Sequence, residues 1–125
     1  MLASVPGIGR ILATIILLET GPIDRFAAVG NFASYARCVD SQRLSNGKKK
    51  GEGNTRNGNK YLAWAFVEAA NFALRFCPEA KRFYERKKAR TNTVVAIKAL
   101  AHKQARACFH ILKERKSFDV MRCFA

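Results

Sequence analysis

Acidic residues are scarce in this sequence. Nine Asp and Glu stand against 23 Lys and Arg, a formal net charge of +14. Solubility alone asks for a net charge of only about 2 to 8 in a small domain. The surplus points to a polyanionic partner, with DNA or RNA ahead of an anionic membrane surface. Long apolar runs are missing too. The densest, ILATIILL over 11–18, lies between Arg10 and Glu19, and a bilayer-spanning helix takes about 20 residues. The segment also lacks the basic flank and small-residue cleavage site of a secretory signal. The four cysteines, Cys38, Cys77, Cys108 and Cys123, form no CxxC pair, and His102 and His110 are the only histidines. A zinc site normally shows close-spaced ligand pairs. The expectation is reduced, structural cysteines in a cytoplasm and no metal in this domain. No internal repeat is visible, and no segment alternates apolar and polar residues over six positions, so nothing argues for a sheet.

What is present argues for helices. A chain of 125 residues that is 49% hydrophobic fits one folded domain, 1–125, with a core that needs no staples. Pro6, Gly7 and Gly9 suggest a tight turn, after which Ile8, Ile11, Leu12, Ile15 and Ile16 recur at helical spacing to about Thr20, where Gly21-Pro22 stops the helix. A second helix is expected over Arg25 to Arg37 with Asp24 as N-cap, carrying Phe26, Val29, Phe32 and Tyr35 or Ala36. A third runs from about Asn59 to Phe76 on the stripe Leu62, Phe66, Ala69, Ala73 and Phe76, widened by Ala65 and Phe72. Pro78 ends it. A surface helix over Glu79 to Arg90 has only Phe83 and Tyr84 as large apolar residues. The last long helix, Thr93 to Arg115, lines up Val94, Ile97, Ala101, Ala105, Cys108 and Leu112. The tail has no strong signal beyond Phe118, which is expected to dock on the core. The predicted fold is all-α, with about five helices, a helix-hairpin-helix-like N-terminal turn and a long basic loop.

That loop, RLSNGKKKGEGNTRNGNKY over 43–61, holds six cations, four glycines and the single acid Glu52. The whole connection, from about Cys38 to Gly58, spans some twenty residues, a length that is usually functional or disordered. Lys48, Lys49, Lys50, Arg56 and Lys60 each suit a phosphate. Asn57-Gly58-Asn59 opens the third helix, where backbone N–H groups are free to meet an anion. Gly7 and Gly9 offer the same at the first helix, in the manner of a Gly-h-Gly hairpin that holds a DNA phosphate without reading bases. The plainer readings are a solvated linker for the loop and a close-packing turn for the glycines. Ser45 precedes a glycine and a cationic run, which suits a hydroxyl that attacks a phosphate. On residue type alone Ser41 and Thr55 are equally good, and a serine in such a loop is most often a turn residue.

Four blocks occur in order: SVPGIGRILATIILLETGPIDRFAAVGNFASYA, then S-x-G-K with a basic run, then R-N-G-N-x-x-L, then AIKALAHKQARACFHILKERKSFD. Together, over roughly residues 2–119, they resemble the C-terminal transposase domain of bacterial insertion-sequence recombinases that also carry an N-terminal RuvC-like DEDD nuclease domain. Pilin-gene invertases belong to that family, and several members are guided by a bridge RNA. The resemblance implies an all-helical, DNA-binding domain that supplies a nucleophilic serine. The family serine lies five residues after a position that is usually proline. Asp40 stands there, so the role passes to Ser45, and Gly7, Gly9, Lys48, Lys49, Lys50, Arg56, Asn59 and Lys60 become the nucleic-acid-binding residues. The resemblance also implies double-stranded DNA and a guide RNA as partners, a homo-oligomer in the full-length protein, no membrane, and a bacterial cytoplasmic setting at the nucleoid. A divalent metal, magnesium, is expected in the RuvC-like domain, which has no counterpart here. The chain departs from the family at Arg37-Cys38-Val39-Asp40, where Gly-Leu-x-Pro is usual. It departs again at Asn46, where Gly is usual, and at Ala63, where an Arg often follows the leucine.

Three readings follow. The first is a recombinase fragment that binds DNA and is inactive alone. The second is a free-standing basic helical module that binds nucleic acid without catalysis. The third is a structural or membrane-surface protein. The ordered blocks favour the first over the second. Against the third, residues 79–90 carry a basic face with only two large apolar residues, whereas a membrane-surface helix sets a broad apolar face opposite its cations.

Overall fold

The computed structural model describes residues 2–38 and 58–124. Among these the chain forms six α-helices and no strand: α1 (Arg10–Thr20), α2 (Val29–Tyr35), α3 (Lys60–Phe76), α4 (Pro78–Arg90), α5 (Thr93–Glu114) and α6 (Val120–Phe124). Single 3₁₀ turns cover Leu2–Ser4 and Ile23–Arg25. The all-α expectation holds, and five of the helices fall where the periodicity puts them. The sixth, α6, lies in the tail that carried no signal. None of the described helices is long and apolar enough to cross a membrane.

The interior is built where α3 and α5 cross. Leu62, Ala65, Phe66, Ala69, Ala70 and Ala73 of α3 are buried against Leu100, Ala101, Ala105 and Cys108 of α5. Four of the six from α3 and two of the four from α5 are alanine, small enough to let the two helices pack closely. Phe32 of α2 closes one side, 6.2 Å from the Phe66 ring and 6.1 Å from Phe109. Two ends of the predicted stripes lie outside this core. Phe76 is 72% exposed and Val94 75% exposed, each at or near an end of its helix. α5 is covered on more sides than one stripe predicts, so Ala96, Gln104 and Ile111 are buried as well. Phe118 packs against the core as expected.

The second helix is shorter than its pattern. Asp24 does not cap it. A 3₁₀ turn and an extended Phe26 precede the helix, which starts after Ala28. Asp24 instead pairs with Lys113 at 3.0 Å. The reason is aromatic packing. The Phe26 ring lies 5.3 Å from both Phe32 and Tyr35. In one unbroken helix, Phe26 and Tyr35 would sit on opposite faces, since nine residues at about 100° each come to a half-turn. Breaking the helix lets the rings meet. The C-terminal end closes on Arg37 in the left-handed region (φ 59), with Cys38 N–H donating to Ala33 O at 2.9 Å and Arg37 N–H to Ser34 O at 2.9 Å. This is the Schellman arrangement that frees the chain to leave the helix.

The N-terminal turn is held from two sides. Gly7 has φ 89, and a Cβ there would run into Ala69 O and come within 2.8 Å of Ala73 N. Gln104, only 2% exposed, donates through Nε2 to Pro6 O at 2.7 Å and Ala69 O at 3.2 Å. One side chain of α5 therefore ties the turn to α3. At the far end Arg122 of α6 grips Glu114 of α5 with two 2.8 Å bonds. That grip, helped by His110, holds the Glu114 carboxyl at about 2, against 4.5 for an ordinary one.

Three outcomes are expected. Gly7→Ala combines the positive φ with a backbone clash and should cost about 3 kcal/mol or more, read as a lower urea midpoint at unchanged slope. Gly9→Ala, with nothing within 4 Å of its Cβ position, should cost about 1 kcal/mol or less. Glu114 gives a pH signature. Its carboxyl is depressed in the folded state, so its contribution is present above the unfolded value near 4.5 and is lost as pH falls towards about 2. Glu114→Gln should remove that share of the acid destabilisation, measured as stability against pH between those limits.

Candidate nucleic-acid interface

The sequence places its site residues at two helix starts and in the segment between them. Ser45, Lys48, Lys49, Lys50 and Arg56, like Asp40 and Asn46, lie outside the described residues. Gly7, Gly9, Asn59 and Lys60 lie within them.

At α1, Gly9 is the N-cap, with no side chain closing the helix end. The space where a Cβ would stand is open, and Arg10 beside it is exposed. The first-turn N–H groups of α1 are therefore approachable, as a phosphate would need. Gly7 does a different job, pressing the turn onto α3. Before Val5 the described chain has one 3₁₀ turn, Leu2–Ser4. A groove beside the turn is lined by Gly9, Arg10, Ile11, Phe72 and Phe76.

At α3 the helix start is occupied from within. Asn59 is the N-cap, and its Oδ1 accepts from Tyr61 N–H at 2.9 Å and Leu62 N–H at 3.0 Å. Its Nδ2 donates to Glu19 Oε1 at 2.9 Å and to Tyr35 Oη at 3.3 Å. Its own N–H donates to Tyr35 O at 2.7 Å. Of the donors that the sequence offers to an anion here, those of Asn59, Tyr61 and Leu62 already have acceptors. The exposed Lys60 side chain lies over the Tyr61 ring at 5.4 Å.

This arrangement makes Asn59 a latch. It ties the C-terminal end of α1 (Glu19), the end of α2 (Tyr35) and the start of α3 together. Gly58 lies so close to Arg37 that a Cβ would meet its side chain. Residues 38 and 58, the described flanks of the serine-bearing segment, thus leave and return at one place. The Tyr35 phenol is held below its ordinary value, first by the Asn59 hydrogen bond and then by Arg25, whose guanidinium lies 4.8 Å from the Tyr35 ring centre.

The two helix starts are not brought together. α1 packs on α3 with Gly7 near Ala69 and Ala73 and Glu19 near Asn59. The eleven residues of α1, at about 1.5 Å each, keep the ends roughly 16 Å apart. Cations that the sequence reading left off the site do converge elsewhere. Lys103 and Arg106 of α5, with Lys116 and Arg122, surround a cavity of about 210 Å³. The signal was the 103, 106, 110 spacing on one face of the last helix, but its partners come from the tail. Among the described residues no three His, Cys, Asp or Glu side chains are grouped to hold a metal. The described residues thus offer no ligand set for the divalent metal that the resemblance implies. Burial pushes the Cys38 thiol up to about 12 and Cys123 to about 11, so neither is a ready thiolate at neutral pH.

Comparison with known proteins bears on this arrangement. The model of the transposase family IS116/IS110/IS902 matches residues 1–85, from the N-terminal turn into α4. The chain is also 29% identical over 120 residues to the insertion element IS110 uncharacterized 43.6 kDa protein of Streptomyces coelicolor. That alignment takes in 95% of this chain and 30% of the relative, so the chain spans under a third of the relative's length.

The Asn59 latch has measurable consequences. Asn59→Ala should cost about 2 kcal/mol through the lost cap and let the Tyr35 phenol titrate at higher pH, followed by phenolate absorbance. Asn59→Asp keeps the capping oxygen but sets a carboxylate against Glu19. The repulsion raises a folded-state carboxyl above its unfolded value, so this variant should be least stable near neutral pH and recover as pH falls from that raised value towards about 4.

Proposed function

The chain belongs to the IS116/IS110/IS902 transposase family, and from that membership we propose that it is the serine-bearing, DNA-binding part of an insertion-sequence transposase. In this reading Ser45 is the nucleophile. Its Oγ attacks a DNA phosphodiester, a P–Oγ bond forms, and the P–O3′ bond breaks. The serine proton passes to a base, and the departing 3′ oxygen takes up a proton as a free hydroxyl. The covalent phosphoserine link conserves the phosphoester for strand exchange and religation. Lys48, Lys49, Lys50, Arg56 and Lys60 bind phosphates around it and offset charge on the pentavalent phosphorus. Double-stranded DNA is the substrate, with a guide RNA and further copies of the full-length protein as partners, in the bacterial cytoplasm at the nucleoid. The remainder of the full-length transposase supplies the nuclease carboxylates and their magnesium. The described residues of this chain contribute no such ligand set.

One observation carries the reading. The flanks of the serine-bearing segment are pinned to each other and to three helices by Asn59, Tyr35 and Glu19. A passive linker needs no such anchorage. A segment that must hold one hydroxyl against a phosphodiester does, because misplacement by about 1 Å costs orders of magnitude in rate.

The test is a suicide DNA duplex, nicked to trap covalent intermediates. It is incubated with this chain, the nuclease domain of an intact family member, and magnesium. A protein–DNA band that survives denaturation is expected with the native chain and not with Ser45→Ala. A band retained in Ser45→Ala, or none from the native chain, would sink the assignment. Replacing the five cations by Ala should flatten the dependence of log affinity on log salt by about 4.

A further inference from the structure

The cavity between α5 and the C-terminal tail is unused by this reading and lies beyond the residues that the family model matches. It measures about 210 Å³ and is lined by residues from α5, the connection at 115–119 and α6. Four cations face it, Lys103, Arg106, Lys116 and Arg122, against two acids, Glu114 and Asp119. Glu114 is already matched by Arg122 at 2.8 Å and by His110 at 3.4 Å. Asp119 accepts the Arg122 backbone N–H at 3.3 Å. Among the described residues, Lys103, whose ammonium lies 5.2 Å from the Phe83 ring centre, and the exposed Arg106 and Lys116 pair with no carboxylate. Ile111 and Phe118 give the cavity an apolar wall.

We infer that this cavity is a second nucleic-acid site, which takes a phosphodiester of a bound strand with its sugar against Ile111 and Phe118. The inference rests on the transposase reading for its choice of ligand and on geometry for its place. Three chain segments deliver cations to one concavity, which suits a phosphodiester, whose two non-bridging oxygens diverge from a tetrahedral phosphorus towards different donors. The positive field is already felt by His102, whose imidazole is held below its ordinary value by burial and then by Arg106 and Lys103. The cavity also adjoins the N-terminal turn. Phe118 N–H donates to Ser4 Oγ at 2.9 Å, and Ser4 lines the groove that holds Gly9 and Arg10. A strand held at the uncapped α1 start can therefore continue into it.

The experiment uses the full chain and two probes. Inorganic phosphate is titrated while backbone amide shifts are followed by NMR, and a labelled DNA duplex is titrated at several salt concentrations. The Arg106→Ala/Lys116→Ala double variant is compared with Lys81→Ala/Lys88→Ala, which removes the same charge from exposed positions on α4. Phosphate should move the amides of residues 106–119. The first double variant should reduce the salt slope by about 2, and the α4 control by much less. Glu114→Gln, which releases Arg122, should tighten duplex binding. Local phosphate shifts with equal slopes for the two double variants would mean a free-phosphate site and overturn the nucleic-acid assignment. Duplex binding with no local shifts and equal slopes would overturn the site and leave the proposed function standing. No duplex binding by the native chain would overturn both.

Discussion

The close approach of the Pro6–Gly9 turn to α3, held by Gln104, is the contact on which the rest of the arrangement depends. Only a residue without a Cβ fits between this turn and the backbone at Ala69 and Ala73, and only a long amide reaches Pro6 O and Ala69 O together from α5. The bond to Ala69 O is buried and the one to Pro6 O partly so, and losing the donor would cost Pro6 O its partner, at about 1–3 kcal/mol. With the turn seated, α1 lies along α3, Leu12 and Ile16 enter the core, and Glu19 arrives at Asn59. The same contact directs the other side of the turn outward, where Gly9 leaves the start of α1 uncapped.

Two glycines two residues apart thus do opposite work. A Gly-h-Gly turn in a sequence has two explanations, close packing and phosphate binding; Gly7 packs against α3, and Gly9 leaves the start of α1 open. A similar division holds at α3. The Asn-Gly-Asn start reads as a set of free donors, yet the Asn59 amide is committed to Tyr61, Leu62, Glu19 and Tyr35. That commitment gives the serine-bearing segment fixed flanks.

Much of the fold was legible. Apolar spacing marked α1, α3 and α5, and Gly21-Pro22 and Pro78 marked their breaks, because helical periodicity and proline geometry are local properties. The break at Phe26 was not legible, since it exists to let Phe26 meet Phe32 and Tyr35, and the three-residue steps 26, 29, 32 and 35 read locally as helix although their two ends drift to opposite faces. The inward turn of Gln104 was hidden for a related reason. A glutamine on a long basic helix reads as surface until its two acceptors, 98 and 35 residues away, are known. Of the candidate site, the residue types and their order were legible. The absence of contact between the two helix starts was not.

The sequence by itself determined that this is a helical, strongly basic chain with four blocks in order, because charge, periodicity and block order need no partner to be read. Tertiary structure alone decided three further matters. It set which glycine packs and which stays open, joined Glu19, Tyr35 and Asn59 into one latch, and gathered Lys103, Arg106, Lys116 and Arg122 around one cavity. Each of these depends on residues far apart in the chain meeting across helix interfaces, and the packing of small side chains between α3 and α5 sets where those interfaces fall.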